Sequence, residues 1–265
     1  GATTWLYPDK TVSLEEIINN FEIKNLLLKG VPGTGKSRLI NKIIKHKLEL
    51  ARDEYESNVL RINIHSGSSN ADLMQGIGLT TQNAQIEYKE KQGLIFDLII
   101  RACSAPKQPF VLVLEEIQEN SLNELIGDLI YLIEEKKRAK LSDSLSEKNY
   151  SAQALIEAHI KAGDGSIHYV RIPNLISAGT EYRKMIMPNN LYLFCTSNYR
   201  DDKKIIEDNL LRGFDVIDLF PAPEVINDEK TRDFFKSLNT AILSVLSEEV
   251  HPDRFEIGHA VWQGV

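Results

Sequence analysis

The sequence predicts an α/β fold, a parallel five-stranded sheet flanked by helices. Three observations lead there. Five short apolar runs, at 25–29, 59–65, 110–114, 191–196 and 216–219, each have the length of one buried strand. Stretches with helical apolar spacing lie between them, at 37–52, 93–103 and 122–137. Directly after the first run comes "GVPGTGKS", Gly30 to Ser37, which fits G-x-x-x-x-G-K-[ST] without a mismatch.

The first run, "NLLLK", is apolar without alternation, as a strand covered on both faces requires. The loop after it is a nucleotide-phosphate loop in the right setting, between a strand and a helix. Gly33 and Gly35 free the backbone to aim its N–H groups at phosphate oxygens, beside the positive end of the next helix. Gly30, Val31, Pro32, Gly33, Thr34, Gly35, Lys36 and Ser37 are therefore the candidate nucleotide-binding residues. Lys36 would reach the β- and γ-phosphates, and Ser37 would ligate Mg²⁺.

The second run ends at His65 and Ser66. The third, "FVLVL", leads into Glu115 and Glu116. In phosphate-loop enzymes an acid at the first position holds the Mg²⁺ shell, so Glu115 is the second candidate for the metal. Glu116 is the candidate general base for an attacking water. The fourth run leads into Asn198, and the fifth precedes "FPAPE".

Between 139 and 186 the chain is polar and Gly-containing, and "SIHYVRI" alternates as one strand of a β-hairpin would. After 222, "DEKTRDFFKSLNTAILSVLSEE" reads as one amphipathic helix. These shifts place a large α/β domain at 1–221 and the start of a truncated second domain at 222–265, since about 40 residues are too few for a core of their own.

Composition narrows the function. Of the 265 residues 42% are apolar and 26% charged, ordinary for a globular protein. The net charge of −7 gives no global electrostatic case for wrapping nucleic acid. Cys103 and Cys195 have no metal-ligand spacing and read as free buried thiols of a cytoplasmic protein. No apolar run reaches the roughly eighteen residues of a membrane helix.

Five stretches together resemble one family. "HSGSSNADLMQGI" (65–77) resembles the "H-P-S-Y-S-Y-E-D-F-v-e-G-i" stretch of McrB-like proteins, the AAA+ motor subunits of modification-dependent restriction systems. "EEIQENSLNELIGDLIYLIEEKKR" (115–138) is similar to their "D-E-I-N-R-G-N" stretch and its continuation to "K-R". "MPNNLYLFCTSNYRDD" (187–202), "EDNLLRGFDVIDLFP" (207–221) and "FEIGHAVW" (255–262) resemble the family's "T-M-N-t-A-D-R-S", "R-R-R-F" and "I-G-H" regions in the same order.

The resemblance implies an AAA+ large domain followed by a partial helical lid, and a site shared between subunits. Asn198 would be the polar sensor that orients the attacking water. Arg212 would be an arginine finger serving a neighbouring subunit, with Arg200 a second candidate catalytic arginine. Gly258 and His259 would approach the nucleotide base from the lid. GTP is the implied nucleotide, although nothing in the phosphate loop selects guanine over adenine. The implied partners are further copies of the chain in a ring, a hexamer, and an McrC-like nuclease subunit. DNA would be read by a domain before residue 1. No nuclease signature is present in the chain. Two other readings share the phosphate loop: an ATP-driven, MoxR-like remodelling chaperone, and a nucleotide-binding scaffold that hydrolyses poorly.

Overall fold

The computed structural model of the chain describes residues 23–82, 85–145, 150–176, 182–198, 212–246 and 255–262. Strand β1 (Asn25–Gly30) runs into the phosphate loop and helix α1 (Lys36–His46). Helix α2 (Arg52–Asn58) leads to β2 (Val59–Asn63), and a single helical turn, α3 (Asn70–Leu73), leads to β3 (Gln75–Gln82) and β4 (Gln85–Gln92). Then come α4 (Leu94–Ser104), β5 (Phe110–Glu115), α5 (Leu122–Ile126) and α6 (Ala152–Ala162). The remaining elements are β6 (Val170–Pro173), β7 (Tyr182–Met185), β8 (Leu191–Asn198), β9 (Asp215–Asp218) and α7 (Glu229–Ser244).

The main sheet has the order β2-β5-β8-β1-β9, with every pair parallel. All five expected strands are in it. Alternation along β1 sends Leu26 and Leu28 to one face, where they meet Leu39, Ile40, Ile43 and Ile44 of α1. Leu27 faces the other way, into the larger cluster with Leu98, Ile99 and Ala102 of α4. Both faces are thus covered, which explains why the strands read as unbroken apolar runs.

Three helix boundaries depart from expectation. The helix expected over 37–52 stops at His46 with Lys47 as its C-cap, and Glu49 beyond it adopts φ 53, a left-handed conformation that no helix continues through. A new helix starts at Arg52, where the Glu54 carboxylate accepts from the Ala51 backbone N–H at 3.0 Å. The helix expected over 122–137 is cut at Gly127, whose φ of +55 leaves only 3₁₀ turns beyond it.

The alternating "SIHYVRI" stretch does form a strand, β6, paired antiparallel with β7. The same polar segment also contains α6, which sequence reading left unassigned. Its stripe is narrow: Leu155, Ile156 and His159 are its buried residues. The β3–β4 hairpin was also unforeseen. Its apolar residues Ile77, Leu79, Ile86 and Tyr88 are all exposed, so the stretch lacks the burial that marks the other strands.

His159 pins α6 to α4. It is fully buried, its Nδ1 accepts from the Ser142 backbone N–H at 3.3 Å, and its Nε2 lies 3.0 Å from the Cys103 carbonyl. The ring is therefore neutral with its proton on Nε2, and burial holds its pKa below the usual value. An unfolded histidine takes up a proton as pH falls through about 6.5, whereas the folded one resists until lower pH. Stability is expected to be full above pH 6.5 and to decline below it as the unfolded state gains the proton. His259, also held low by burial, adds the same sign. Urea midpoints between pH 5 and 8 test this, and His159→Gln should flatten the slope. An equal slope in the variant would remove His159 from the account.

The lower edge of the sheet is fixed by Arg138, at the end of the 115–138 stretch. Its buried guanidinium donates to the carbonyls of Ile133 (3.0 Å), Leu191 (2.7 Å) and Pro188 (3.3 Å), and to Asn25 Oδ1. Asn25 Nδ2 donates in turn to Ile133 and Gly213 carbonyls at 2.7 and 2.8 Å. Burial lowers the Arg138 pKa to about 10, so it stays charged and its donors stay matched at neutral pH.

Candidate nucleotide site

Strand register assembles the site. Gly30 is opposite Asn198 on β8, and Asn63 is opposite Glu115 on β5. The phosphate loop, the acidic pair and Asn198 therefore share the carboxyl edge of the sheet, where parallel α/β sheets form their binding crevices. Gly33 and Gly35 take φ of +81 and +85, which a side chain would strain. Gly35 caps α1, and the helix has no acid in its first turn and no side-chain cap. Its positive end is left to an anion.

Thr34 Oγ1 donates to the Val31 carbonyl at 2.9 Å and stiffens the loop. Lys36 is buried beneath it. Its Nζ donates to the carbonyls of Gly30 and Val31 at 2.9 and 3.1 Å and to Asn198 Oδ1 at 2.7 Å. Burial lowers its pKa to about 8, while the Glu116 charge pulls it back up.

Glu116 follows the end of β5 with φ 59 and ψ 44, a left-handed backbone unusual for a residue with a side chain. Such strain clusters where function requires it. Thr196 Oγ1 accepts from the Glu116 N–H at 3.1 Å and secures this peptide. The Glu116 carboxylate oxygen Oε2 accepts from Asn198 Nδ2 and, at 2.7 Å, from Gln118 Nε2. Asn198 thus donates to the acid and accepts from the lysine, both ends of its amide engaged.

Ser37 Oγ donates to Glu115 Oε1 at 2.6 Å, and Arg61 on β2 forms an ion pair with the same oxygen at 2.8 Å. A second guanidinium nitrogen of Arg61 donates to Asn41 Oδ1 on α1. The segment 258–260 closes over the loop. The Ala260 N–H donates to the Gly33 carbonyl at 2.9 Å, and a β-carbon on Gly258 would come within 2.2 Å of the Pro32 carbonyl. His259 Nδ1 accepts from the Ala222 N–H at 3.0 Å, and Nε2 would lie 3.9 Å from a β-carbon on Gly35.

Residues 20–143 match the family described as AAA domain. The fold is that of an AAA+ domain. Over 268 residues the chain is 23% identical to the type IV methyl-directed restriction enzyme EcoKMcrB subunit of Escherichia coli (strain K12). The alignment covers 96% of this chain and 50% of that protein, so the chain spans about half the length of the curated relative it matches. Among solved structures, that of C. elegans PCH-2 is similar over 91% of this chain and 46% of that one, with 17% identity and a TM-score of 0.35. A superposition that loose adds nothing to the assignment.

The AAA+ domain thus brings together Gly30 to Ser37, Glu115, Glu116, Asn198 and His259. Arg212 lies apart. It is exposed, and its neighbour Gly213 is bonded to Asn25, the first residue of β1, while the phosphate loop follows the last. Five residues of strand separate the two ends by about 17 Å. Arg200 lies outside the described residues.

Two site residues escaped sequence reading. Gln118 gave no signal beyond a polar residue between Ile117 and Glu119 near the acids, and Arg61 sits among the apolar Val59, Leu60 and Ile62 of its strand. A hydroxyl and a carboxylate 2.6 Å apart form the hard oxygen pair that suits Mg²⁺. Among the described residues no group of three or more His, Cys, Asp or Glu could hold a metal, so an ion here would rely on ligands from nucleotide and water. Burial pushes Cys103 up to about 12 and raises Cys195 further, which keeps both thiols protonated and inert. Among the described residues no helix is long and apolar enough to cross a membrane.

Proposed function

We propose that this chain binds and hydrolyses a nucleoside triphosphate, with GTP as the nucleotide, as the motor domain of a ring-forming restriction subunit. The observation that carries the reading is the connected series Lys36–Asn198–Glu116 beneath a fully matched phosphate loop. The loop N–H groups and the α1 terminus hold the phosphates, Lys36 moves its charge from loop carbonyls to phosphate oxygens, and Asn198 and Glu116 orient and deprotonate the attacking water. Ser37 and Glu115 would hold Mg²⁺, which when bound would neutralise charge between the β- and γ-phosphates.

The division at 221, with 222–265 as the start of a lid, belongs to this proposal. So do the hexameric ring, the McrC-like nuclease partner, a DNA-reading domain on the longer protein and a cytoplasmic setting. The McrB-like sequence supports them. Calorimetric titration with GTP, ATP and their non-hydrolysable analogues tests the nucleotide. Tighter binding of ATP would replace guanine by adenine and favour a remodelling role, while no binding of either would end the reading.

Lys36→Ala is expected to weaken triphosphate binding by about 2–5 kcal/mol, the usual effect of truncating one partner of a buried charge pair. The β- and γ-phosphates then face the loop without their cation. The same titration checks it, and undiminished affinity would remove Lys36 from the site.

A further inference from the structure

We propose that Gln118 is a positioning residue for hydrolysis, locking the Glu116 carboxylate and the Asn198 backbone into one unit. The inference rests on the reading of Glu116 as general base. Gln118 is only 5% exposed, yet both ends of its amide are used on the site. Nε2 donates to Glu116 Oε2 at 2.7 Å, and Oε1 accepts from the Asn198 N–H at 3.1 Å. A primary amide is suited to this, because it donates and accepts at once. The need for it is visible in the backbone. Glu116 stands in a left-handed conformation at the very end of β5, and Asn198 is the last residue of β8. At these positions the strand ladder that joins Leu114 to Cys195 has ended. Thr196 fixes the Glu116 peptide but not its carboxylate. Gln118 and Asn198 both donate to the same carboxylate oxygen, Oε2, and Gln118 ties that pair to the main chain of Asn198.

The test uses the full chain and two variants. Gln118→Met keeps the length of the side chain and removes both hydrogen bonds. It is expected to bind GTP and ATP analogues within about twofold of the parent, with KM unchanged and kcat lower by about 10²-fold, the scale set by misplacing a reacting group by about 1 Å. Hydrogen exchange of the Asn198 amide should quicken in the nucleotide-free protein. Gln118→Glu keeps an acceptor for the Asn198 N–H but loses the donor to Glu116. It should lose the same turnover while Asn198 exchange stays slow. Combined with Glu116→Gln, Gln118→Met should add no further loss, since the group it positions is already disabled. Unchanged Asn198 exchange in Gln118→Met, or a kcat equal to the parent's, would overturn the proposal. If Glu116→Gln itself turns over normally, the failure belongs to the assignment of the base and not to Gln118.

Discussion

Arg212→Ala is expected to bind triphosphate as tightly as the parent chain and to hydrolyse it about 10³–10⁵-fold more slowly, the range measured for arginine fingers. On the proposed reading the effect would arise between subunits. Arg212 precedes β9 at the edge where Asn25 begins β1, whereas the phosphates belong at the edge where Gly30 ends it. A guanidinium that far from its own loop cannot complete its own site. Specific activity should therefore rise with protein concentration, and nucleotide should promote oligomers. Mixing Arg212→Ala with Glu116→Gln should restore part of the turnover, because a mixed boundary can pair an intact Glu116 with an intact Arg212. Flat specific activity across a wide dilution series, with Arg212→Ala fully active, would leave a self-contained enzyme and assign the exposed arginine to the surface.

Glu116→Gln is the second large effect. The side chain keeps its length and its oxygen acceptor for Asn198 and Gln118, but no longer takes a proton from water. Binding should be preserved and turnover should fall by about 10²–10⁴, the contribution of a positioned base. Glu115→Gln should act differently. It weakens the contact to Ser37 and the ion pair with Arg61, so its loss should depend on Mg²⁺ concentration. If Glu115→Gln stops hydrolysis at saturating Mg²⁺ while Glu116→Gln does not, the two acids exchange roles.

The legible parts of this molecule were those where one residue type can satisfy one physical demand. Strands covered on both faces admit little but apolar side chains, and all five sheet strands were visible as such. The loop from Gly30 to Ser37 must have glycines where φ is positive and a lysine within reach of phosphate, so its sequence states its structure. Helix ends were less visible, because the break between His46 and Arg52, with Glu49 left-handed inside it, and the turn at Gly127 rest on backbone conformations that the side chains around them do not announce. The β3–β4 hairpin was missed since its apolar residues face solvent and resemble loop composition. Gln118 and Arg61 were missed for another reason. Their partners, Asn198 and Glu115, lie 80 and 54 residues away, and only the sheet order brings them together.

The contact between Gly258 and the phosphate loop has a mechanical reading. A β-carbon there would lie 2.2 Å from Pro32 O and 2.4 Å from the Gly33 carbonyl carbon, so the two backbones touch with no compressible side chain between them. The adjoining Ile257 is clamped to α7 by Asn239, which accepts from its N–H at 2.8 Å and donates to its carbonyl at 3.2 Å. Loop, strap and helix form a stiff linkage, and a peptide shift in the loop has no slack in which to dissipate before it reaches α7. If an occupant of the loop displaces it, thermodynamic reciprocity requires that a load displacing α7 change that occupant's affinity by the same factor. On that condition the helix would be a gauge of what occupies the loop, and equally a handle on it.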